Sequence, residues 1–196
     1  MKAMPLEDKR MLVLYIRIEN IEPPIYRRLL IRNSVTFQKL HNMIQLIFGW
    51  SDDHLFAFDF KGVEIIPPDP DIPKHDQTGL NPRTTRLAEF INEAGEMFLY
   101  TYDFGDDWVH SIQVEQILPF NPNLKAPLCL DGKRACPPED SHGPFYYPEI
   151  LKAVKKKKGE LYDWIIWMNN GREFDPERFS IDLANGLMSS SPYSDR

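Results

Sequence analysis

The stretch from residue 97 to residue 117 most constrains the fold, because two strand-like runs there flank a very short turn. Met97–Tyr102 and Trp108–Ile117 are rich in aromatic and β-branched residues, as strands are. The five residues between them, Asp103-Phe104-Gly105-Asp106-Asp107, combine a glycine with aspartates, which are typical turn residues. The sequence therefore predicts an antiparallel hairpin at this point.

The N-terminal third of the chain predicts two strands, a helix and two more strands. The first two apolar runs lie on either side of Pro23 and Pro24, which fits a hairpin with a loose loop. Apolar side chains then recur at helical spacing up to Gly49, behind a serine or threonine cap. The predicted elements are strands Met11–Ile18 and Ile25–Ile31, a helix over 37–48, and strands Phe56–Phe60 and Val63–Ile66.

The rest of the chain contains two long proline-rich stretches and several helices. Residues 67–82 and 119–148 hold most of the 17 prolines and show no period, so both are predicted to be loops. The predicted helical segments are Arg83–Ala94, a helix from Pro148 to the run Lys155–Lys158, a helix from Leu161 to Met168, and a turn at Asp175-Pro176.

These elements do not follow the regular alternation of a parallel sheet, and at least two connections are hairpins. The predicted class is therefore α+β, with a mainly antiparallel sheet covered by helices. A chain of 196 residues suits one domain, which we expect to span 1–196 with its core at about 11–187. The N-terminal ββαββ portion is compared with the β-grasp fold by analogy only.

Composition and charge exclude several classes of protein. The longest apolar runs fall far short of the ~18 residues of a membrane span, so no membrane partner is expected. Two cysteines cannot build a disulfide framework, and a cytoplasmic location is expected. A net charge of −6 disfavours non-specific binding to nucleic acid. Residues 51–149, however, hold 18 acidic against 7 basic side chains, and this acidic segment could hold a cation.

The first candidate site is the predicted hairpin turn. Asp103, Asp106 and Asp107 cluster there, and His110 lies on the outgoing strand on the same face as Trp108. Carboxylates with an imidazole suit a divalent cation such as magnesium, manganese or zinc, or an acid–base pair. The alternative is that the aspartates are ordinary turn residues and His110 is a half-buried strand residue.

The second candidate site is the segment that contains both cysteines. Cys129 and Cys136, with His142 and His110, could form a zinc site across the fold, although six residues separate the cysteines and structural zinc knuckles are tighter. A nucleophilic Cys136 activated by a histidine is a second alternative. The third is that both cysteines are small buried hydrophobic residues.

The third candidate site is a basic set on the first two strands. Arg17, Arg27 and Arg28 could contact phosphates if they share one face of the sheet. A solvated sheet face is the alternative explanation. The run Lys155–Lys158 suits a helix C-terminus and requires no ligand.

Three blocks of residues are recognisable together. They are Pro23-Pro24-Ile25-Tyr26-Arg27-Arg28 continuing to His54-Leu55, the hairpin from Tyr102 to His110, and Cys129 to Asp140 with Phe174-Asp175-Pro176. On these blocks the chain resembles the plasmid pRiA4b ORF-3-like family over nearly its whole length. After its Cys-Pro-Pro-Glu-Asp motif the chain has His142-Gly143 and Tyr146-Tyr147, where the family usually has Gly-Gly and then Gly-Tyr.

The resemblance implies a fold and an association with plasmids or transposable elements, not an established activity. Because its signature residues coincide with the candidate sites, Trp108, Glu139 and Asp140 become candidate binding residues together with Arg27 and Arg28. The leading hypothesis is a binding or interaction module for a protein or small-molecule ligand, at the junction of the hairpin with the cysteine segment.

Two other functions remain as alternatives. The first is a divalent-metal-dependent hydrolase or nuclease that uses the hairpin residues Asp103–His110. The second is a nucleic-acid-binding domain that uses the basic strands. The hypothesis that the protein is an enzyme is less favoured, because the chain lacks the Walker, G-x-G-x-x-G, H-E-x-x-H and G-x-S-x-G motifs.

Overall fold

The computed structural model describes residues 9–73 and 75–191. Its regular elements are β1 (Arg10–Ile18), β2 (Tyr26–Arg32), α1 (Phe37–Phe48), β3 (Phe56–Phe60), β4 (Val63–Ile65), β5 (Met97–Tyr102), β6 (Trp108–Pro119), β7 (Leu128–Lys133), α2 (Gly143–Lys156), α3 (Glu160–Met168) and α4 (Ile181–Ser190). The seven strands form one sheet in the order β4-β3-β5-β6-β1-β2-β7, and every pair of neighbouring strands is antiparallel. The predicted α+β class is confirmed.

Strand β1 lies inside the sheet, where it pairs with β2 on one side and with the central strand β6 on the other. Its residues Leu12, Leu14 and Ile16 are fully buried and point to the face that the helices cover. On the opposite face Met11 and Val13 belong to a smaller apolar cluster. Burial on both faces explains why β1 reads as a continuous apolar run rather than an alternating one.

Helix α1 follows the predicted pattern. Its start is capped by Thr36, whose side chain accepts a hydrogen bond from the Lys39 amide, and it ends at Gly49, which has a φ of 87°. This left-handed conformation favours glycine. The apolar side of α1 packs into the same core as the inner strands, with the ring of Phe37 5.1 Å from that of Phe58. Trp50 and the loop before β3 are thereby placed beside the hairpin.

Both edges of the sheet are covered, as exposed strand edges promote aggregation. At β7, Asn185 of α4 accepts a hydrogen bond from the Cys129 amide at 2.7 Å and donates one to the Cys129 carbonyl at 3.0 Å. The side-chain amide thus replaces a neighbouring strand. At β4, the Leu80 amide donates to the Glu64 carbonyl and the Leu80 carbonyl accepts from the Ile66 amide, both at 2.9 Å.

Three predicted elements differ from the structure. The segment predicted as helix Arg83–Ala94 contains only a 3₁₀ turn, Leu87–Glu89, because the amides of Leu87 and Ala88 bond to the carbonyls of Val35 and Asn33 rather than within a helix. The predicted loop 119–148 contains β7 and the start of α2. Finally, α2 begins at Gly143 with a proline in its first turn, and Pro148 lies inside the helix.

The other outcomes concern the C-terminus and the order of the strands. The expected helical turn at Asp175-Pro176 is followed by a full helix, α4, which Ser180 caps. The ββαββ order is confirmed, but β5 and β6 separate its two strand pairs in the sheet, and the β-grasp comparison stays an analogy. Within the part of the chain that the structure describes, no helix combines the length and apolar character of a membrane span.

Candidate functional site at the hairpin junction

The hairpin turn is held by Asp103, which has a φ of 55°. Its Oδ1 accepts hydrogen bonds from the amides of Gly105 at 3.0 Å and Asp106 at 3.3 Å, and its carbonyl accepts one from the Asp107 amide at 2.7 Å. Asp103 therefore acts as a turn residue, as the simpler alternative predicted. Asp107 is exposed and lies apart from any cluster of ligand atoms in the described residues.

Asp106 fixes the hairpin against the start of α2. A Cβ built on Gly143 would lie 2.2 Å from the Asp106 carbonyl oxygen, and Gly143 has a φ of 76°. Only glycine permits so close an approach in this conformation. Because α2 follows directly on the Cys-Pro-Pro-Glu-Asp motif, this contact joins the hairpin to the cysteine segment, as the sequence predicted.

His110 and Trp108 lie in the core rather than at a ligand surface. Both are fully buried, and the ring of His110 is about 5 Å from those of Phe48, Trp50 and Tyr100. Burial lowers the pKa of His110 to about 3, so the imidazole is neutral and its Nδ1 donates to the Trp108 carbonyl at 3.0 Å. The expected metal-binding or acid–base role of His110 and the expected ligand contact of Trp108 do not fit these positions.

The proposed zinc ligands do not come together. Cys129 lies in β7 with its thiol against the Asp131 carbonyl at 3.4 Å, and both cysteines are free thiols. Burial raises the pKa of Cys129 and of Cys136, which opposes the thiolate needed for zinc or for a nucleophile. His142 is exposed and its ring contacts Tyr146.

A set of polar contacts ties the Cys-Pro-Pro-Glu-Asp motif to the hairpin strand and to the loop after α1. Tyr102 donates a 2.5 Å hydrogen bond to Glu139 Oε1, and Glu139 Oε2 accepts one from the Ser51 amide at 3.0 Å. The pKa of Tyr102 is raised, mainly because the hydroxyl is buried and to a smaller extent because it donates to Glu139. Trp50 donates to the Pro137 carbonyl at 3.1 Å and stacks on Tyr102, with the ring centroids 5.0 Å apart.

His54 bridges the two sides of this junction. Its Nδ1 lies 3.6 Å from Asp103 Oδ2, and its Nε2 lies 3.3 Å from Asp140 Oδ1. One ligand atom from each of the three residues lies within 4.8 Å of the others, and among the described residues no other group of His, Cys, Asp and Glu is so close. The predicted set Asp103, Asp106, Asp107 and His110 does not converge on one point. Sequence reasoning did not single out His54, although the first recognisable block ends with His54-Leu55.

A second polar network, centred on the buried side chains of His41 and Tyr100, was also missed. The side chain of His41 contacts Tyr100 Oη through Nδ1 at 2.8 Å and Asp52 through Nε2 at 2.7 Å, while Gln45 donates to Tyr100 Oη at 3.0 Å. The His41 ring stacks on Phe56 with centroids 3.6 Å apart, and burial lowers its pKa. This network fastens α1 to β5 and has no opening to a ligand at Tyr100, which is fully buried.

Two adjoining cavities lie behind the Cys-Pro-Pro-Glu-Asp motif, and together we call them the cleft. One, of about 290 Å³, is bordered by Trp50, Pro137 and Glu139. The other, of about 260 Å³, runs between α1 and α4. The residues lining both are Phe48, Gly49, Cys136, Asn169 and Phe174. Ligand sites are typically concave and combine apolar walls with a few polar groups. The cavity between α1 and α4 is lined by both apolar and polar side chains, whereas the hairpin turn is exposed.

Arg27 borders the cleft and is only 2% exposed, so it does not share the solvated face of the sheet with Arg17 and Arg28, as the phosphate-binding hypothesis required. Its guanidinium donates to the carbonyls of Ile47, Tyr26, Lys133 and Arg134 at 2.7–3.0 Å. It also lies between the rings of Phe48 and Phe179, 4.8 and 4.1 Å from their centroids. Burial lowers the pKa of Arg27 to about 10, and the group remains charged at neutral pH.

Arg17 and Arg28 share the solvated face of the sheet, and both are paired. Arg28 binds Glu115 through two hydrogen bonds of 2.6 and 2.8 Å and contacts Asp131 at 2.9 Å. Arg17 contacts Glu22 at 2.6 Å. A phosphate would therefore compete with carboxylates already in place, which weakens the case for a nucleic-acid interface here.

Comparison with known proteins matches most of the chain. The family model described as plasmid pRiA4b ORF-3-like protein matches residues 10–183. Among similar sequences is the uncharacterized protein y4hQ of Sinorhizobium fredii, which is 30% identical over 159 residues, covering 77% of this chain and 78% of that protein. Among solved structures, the protein of unknown function MM3350 from Methanosarcina mazei Go1 is similar, with a TM-score of 0.75, 31% identity, and coverage of 89% of this chain and 97% of that one.

Proposed function

Because this chain belongs to the plasmid pRiA4b ORF-3-like family, whose relatives above carry no assigned activity, we propose its function from its own geometry. We propose that it is a binding module and that its ligand lies in the cleft. The observation that carries this proposal is the pair of adjoining cavities, which share five lining residues. An enzyme that uses the hairpin is not supported, because the hairpin residues do not converge.

The position of the cleft also supports the proposal. Its walls come from elements that are far apart in sequence, namely the end of α1, the motif beginning at Cys136, and the chain from Asn169 to α4. Trp50 and Glu139 border it and are held by hydrogen bonds to Pro137 and Tyr102. A site preorganised in this way loses little conformational entropy on binding.

The cleft can be tested with N-phenyl-1-naphthylamine, a neutral aromatic dye that fluoresces in apolar sites. Leu183 borders the cleft and is 58% exposed, so Leu183→Trp should fill the cavity without disturbing the core. Ile181→Trp, on the same helix but outside the lining residues, is the matched control. We expect the dye to bind the wild type and the control and to lose its affinity for Leu183→Trp. Absence of binding, or equal binding to all three proteins, would refute the proposal.

A divalent cation at His54, Asp103 and Asp140 is the second candidate ligand, and the convergence of these three groups favours it. Imidazole with two carboxylates suits zinc or manganese. Calorimetric titration with Zn²⁺ and Mn²⁺ should show binding that Asp140→Asn removes and that Asp131→Asn, a surface carboxylate elsewhere, leaves unchanged. Binding that both variants retain would place the cation at another position.

Two further parts of the proposal rest on less specific observations. We infer a cytoplasmic location, supported by the two free thiols Cys129 and Cys136, because oxidising compartments favour disulfides. We also keep the association with plasmids or mobile elements, which rests on the description of the family.

A further inference from the structure

The cleft contains a buried positive charge that no carboxylate balances. All four acceptors of the Arg27 guanidinium are backbone carbonyl oxygens. The ionisable groups that act on it electrostatically are Cys136, Cys129 and Tyr26, which are neutral at physiological pH. Buried charges in proteins are normally paired because removing an ion from water costs several kcal/mol. The four carbonyl oxygens and the faces of Phe48 and Phe179 stabilise the guanidinium locally, but no carboxylate contacts it. Its net charge therefore favours an anion in the adjoining cavity.

The rim of the cleft adds a second cation. Arg178 lines the cleft on its exposed side, and within residues 9–73 and 75–191 its side chain forms no ion pair. Ser180, at the start of α4, also lines the cavity, but its hydroxyl caps the Leu183 amide and Asp182 already supplies a negative charge in that turn. The two arginines, Arg27 and Arg178, are therefore the features that favour an anion at one end of the cleft.

Two acidic residues also border this end, but both are already engaged. Glu173 accepts hydrogen bonds of 2.7 and 2.9 Å from Lys157. Asp175 Oδ1 accepts one of 3.0 Å from the amide of Glu177. Neither carboxylate contacts an arginine of the cleft in the described residues. Because Lys157 balances Glu173 while Asp175 keeps its negative charge, Arg27 and Arg178 leave one positive charge in excess at this end of the cleft.

Several other side chains that line the cavity between α1 and α4 are apolar. Leu46 of α1 faces Leu183 and Leu187 of α4 across the cavity, and the two leucines of α4 are 58% and 40% exposed. Apolar side chains left open beside a cavity favour a ligand with an apolar body. The cleft therefore combines a cationic end with an apolar channel.

We infer that the ligand of the cleft is a small amphipathic anion, a carboxylate or phosphate ester on a compact apolar body. This inference rests on the proposed binding function of the cleft and names its ligand class. The volume of about 260 Å³ suits a small molecule rather than a long polymer. The anionic group lies against Arg27 and Arg178, and the apolar body lies along α1 and α4.

The inference can be separated from the proposed function by two dyes that differ in one group. 1-Anilinonaphthalene-8-sulfonate is N-phenyl-1-naphthylamine with an added sulfonate. We expect the sulfonate dye to bind the wild-type protein at least tenfold more tightly, since one charge-assisted contact is worth about a factor of ten. Equal affinities would overturn the inference and leave the binding cleft intact, whereas failure of both dyes would overturn the proposed function itself.

Two variants test whether the positive charge of the cleft causes the tighter binding of the sulfonate dye. Arg178→Gln should weaken the sulfonate dye about tenfold more than it weakens the neutral dye, because Arg178 is exposed and its loss removes charge without emptying the core. Arg83→Gln, at an exposed arginine outside the cleft, is the matched control and should change neither affinity. An equal effect of both variants on the sulfonate dye would show that only overall charge matters, and would overturn the inference.

Competition experiments then distinguish a carboxylate ligand from a phosphate ester. Octanoate and octyl phosphate carry the same chain on different anionic groups, and octanol is the neutral control. Displacement of the sulfonate dye by either anion at concentrations where octanol has no effect supports the inference and shows which group the site prefers. Equal displacement by octanol would contradict it.

Discussion

Acid should destabilise this protein through His110, whose side chain is fully buried. Burial lowers its folded-state pKa to about 3, whereas an unfolded chain returns it to about 6.5. Below pH 6.5 the unfolded state therefore binds a proton at His110 that the folded state does not. Stability attributable to this residue is intact above pH 6.5 and is lost as the pH falls towards 3.

The size of the effect follows from the difference between the two pKa values. Each pH unit within that window costs about 1.4 kcal/mol for one such group. Between pH 7.5 and pH 5 the free energy of unfolding should fall by about 2 kcal/mol because of His110 alone. His41 is also buried and its pKa is also lowered. It therefore adds to the acid-induced fall in the free energy of unfolding, both in the wild type and in the variants that keep His41.

Urea unfolding at pH 7.5 and pH 5 measures this directly. His110→Gln removes the titration at that site, and its free energy of unfolding should fall by about 2 kcal/mol less over this pH range than that of the wild type. His75→Gln, at an exposed histidine, is the matched control and should behave as the wild type. An identical pH dependence in His110→Gln and the wild type would refute the reasoning.

Three further substitutions test the contacts that build the junction and the sheet edge. Gly143→Ala should lower the free energy of unfolding by about 2 kcal/mol or more, because its Cβ would meet the Asp106 carbonyl at 2.2 Å. The control is Gly186→Ala in α4, which has open space around it and should be neutral or stabilising. Asn185→Ala should cost about 1–3 kcal/mol, since it leaves the Cys129 backbone groups unpaired. Tyr102→Phe should cost about 1–2 kcal/mol by removing the bond to Glu139. Denaturant curves check all of these, and a wild-type midpoint in any of the three test variants would contradict the corresponding contact.

Local patterns were sufficient to predict much of the fold. Helix α1 combines a cap at Thr36, regular apolar spacing and a terminal Gly49, and the β5–β6 hairpin combines two apolar strands with an aspartate-rich turn. In both cases the residues that decide the structure are neighbours in sequence. The same reasoning correctly assigned Asp103 a turn role among its alternatives.

Elements that depend on distant partners could not be predicted in the same way. Strand β7 is short and lies among prolines, and it is held by β2 and by Asn185 of α4. The apolar pattern at Arg83–Ala94 suggested a helix, but its amides pair with the segment between β2 and α1. Tertiary hydrogen bonds outweighed local propensity in each case.

The candidate site, too, could be predicted from the sequence only in part. Sequence placed the hairpin beside the Cys-Pro-Pro-Glu-Asp motif, and the contacts of Glu139 and Gly143 confirm that junction. It could not reveal that His54 lies between Asp103 and Asp140, because these residues meet only in the folded chain. Nor could it show that Arg27 lies on the inner face, since the alternation of β2 does not say which face is covered.

The most direct test of the binding cleft is methyl NMR of the leucines with 1-anilinonaphthalene-8-sulfonate at saturating concentration. The predicted result is that shift changes and dye–methyl contacts are confined to Leu46, Leu183 and Leu187, which line the cleft. Leu124, exposed in the loop between β6 and β7 and outside the residues that line the cleft, should not move. Dye contacts spread over exposed leucines such as Leu124, or none at the three cleft residues, would contradict the account.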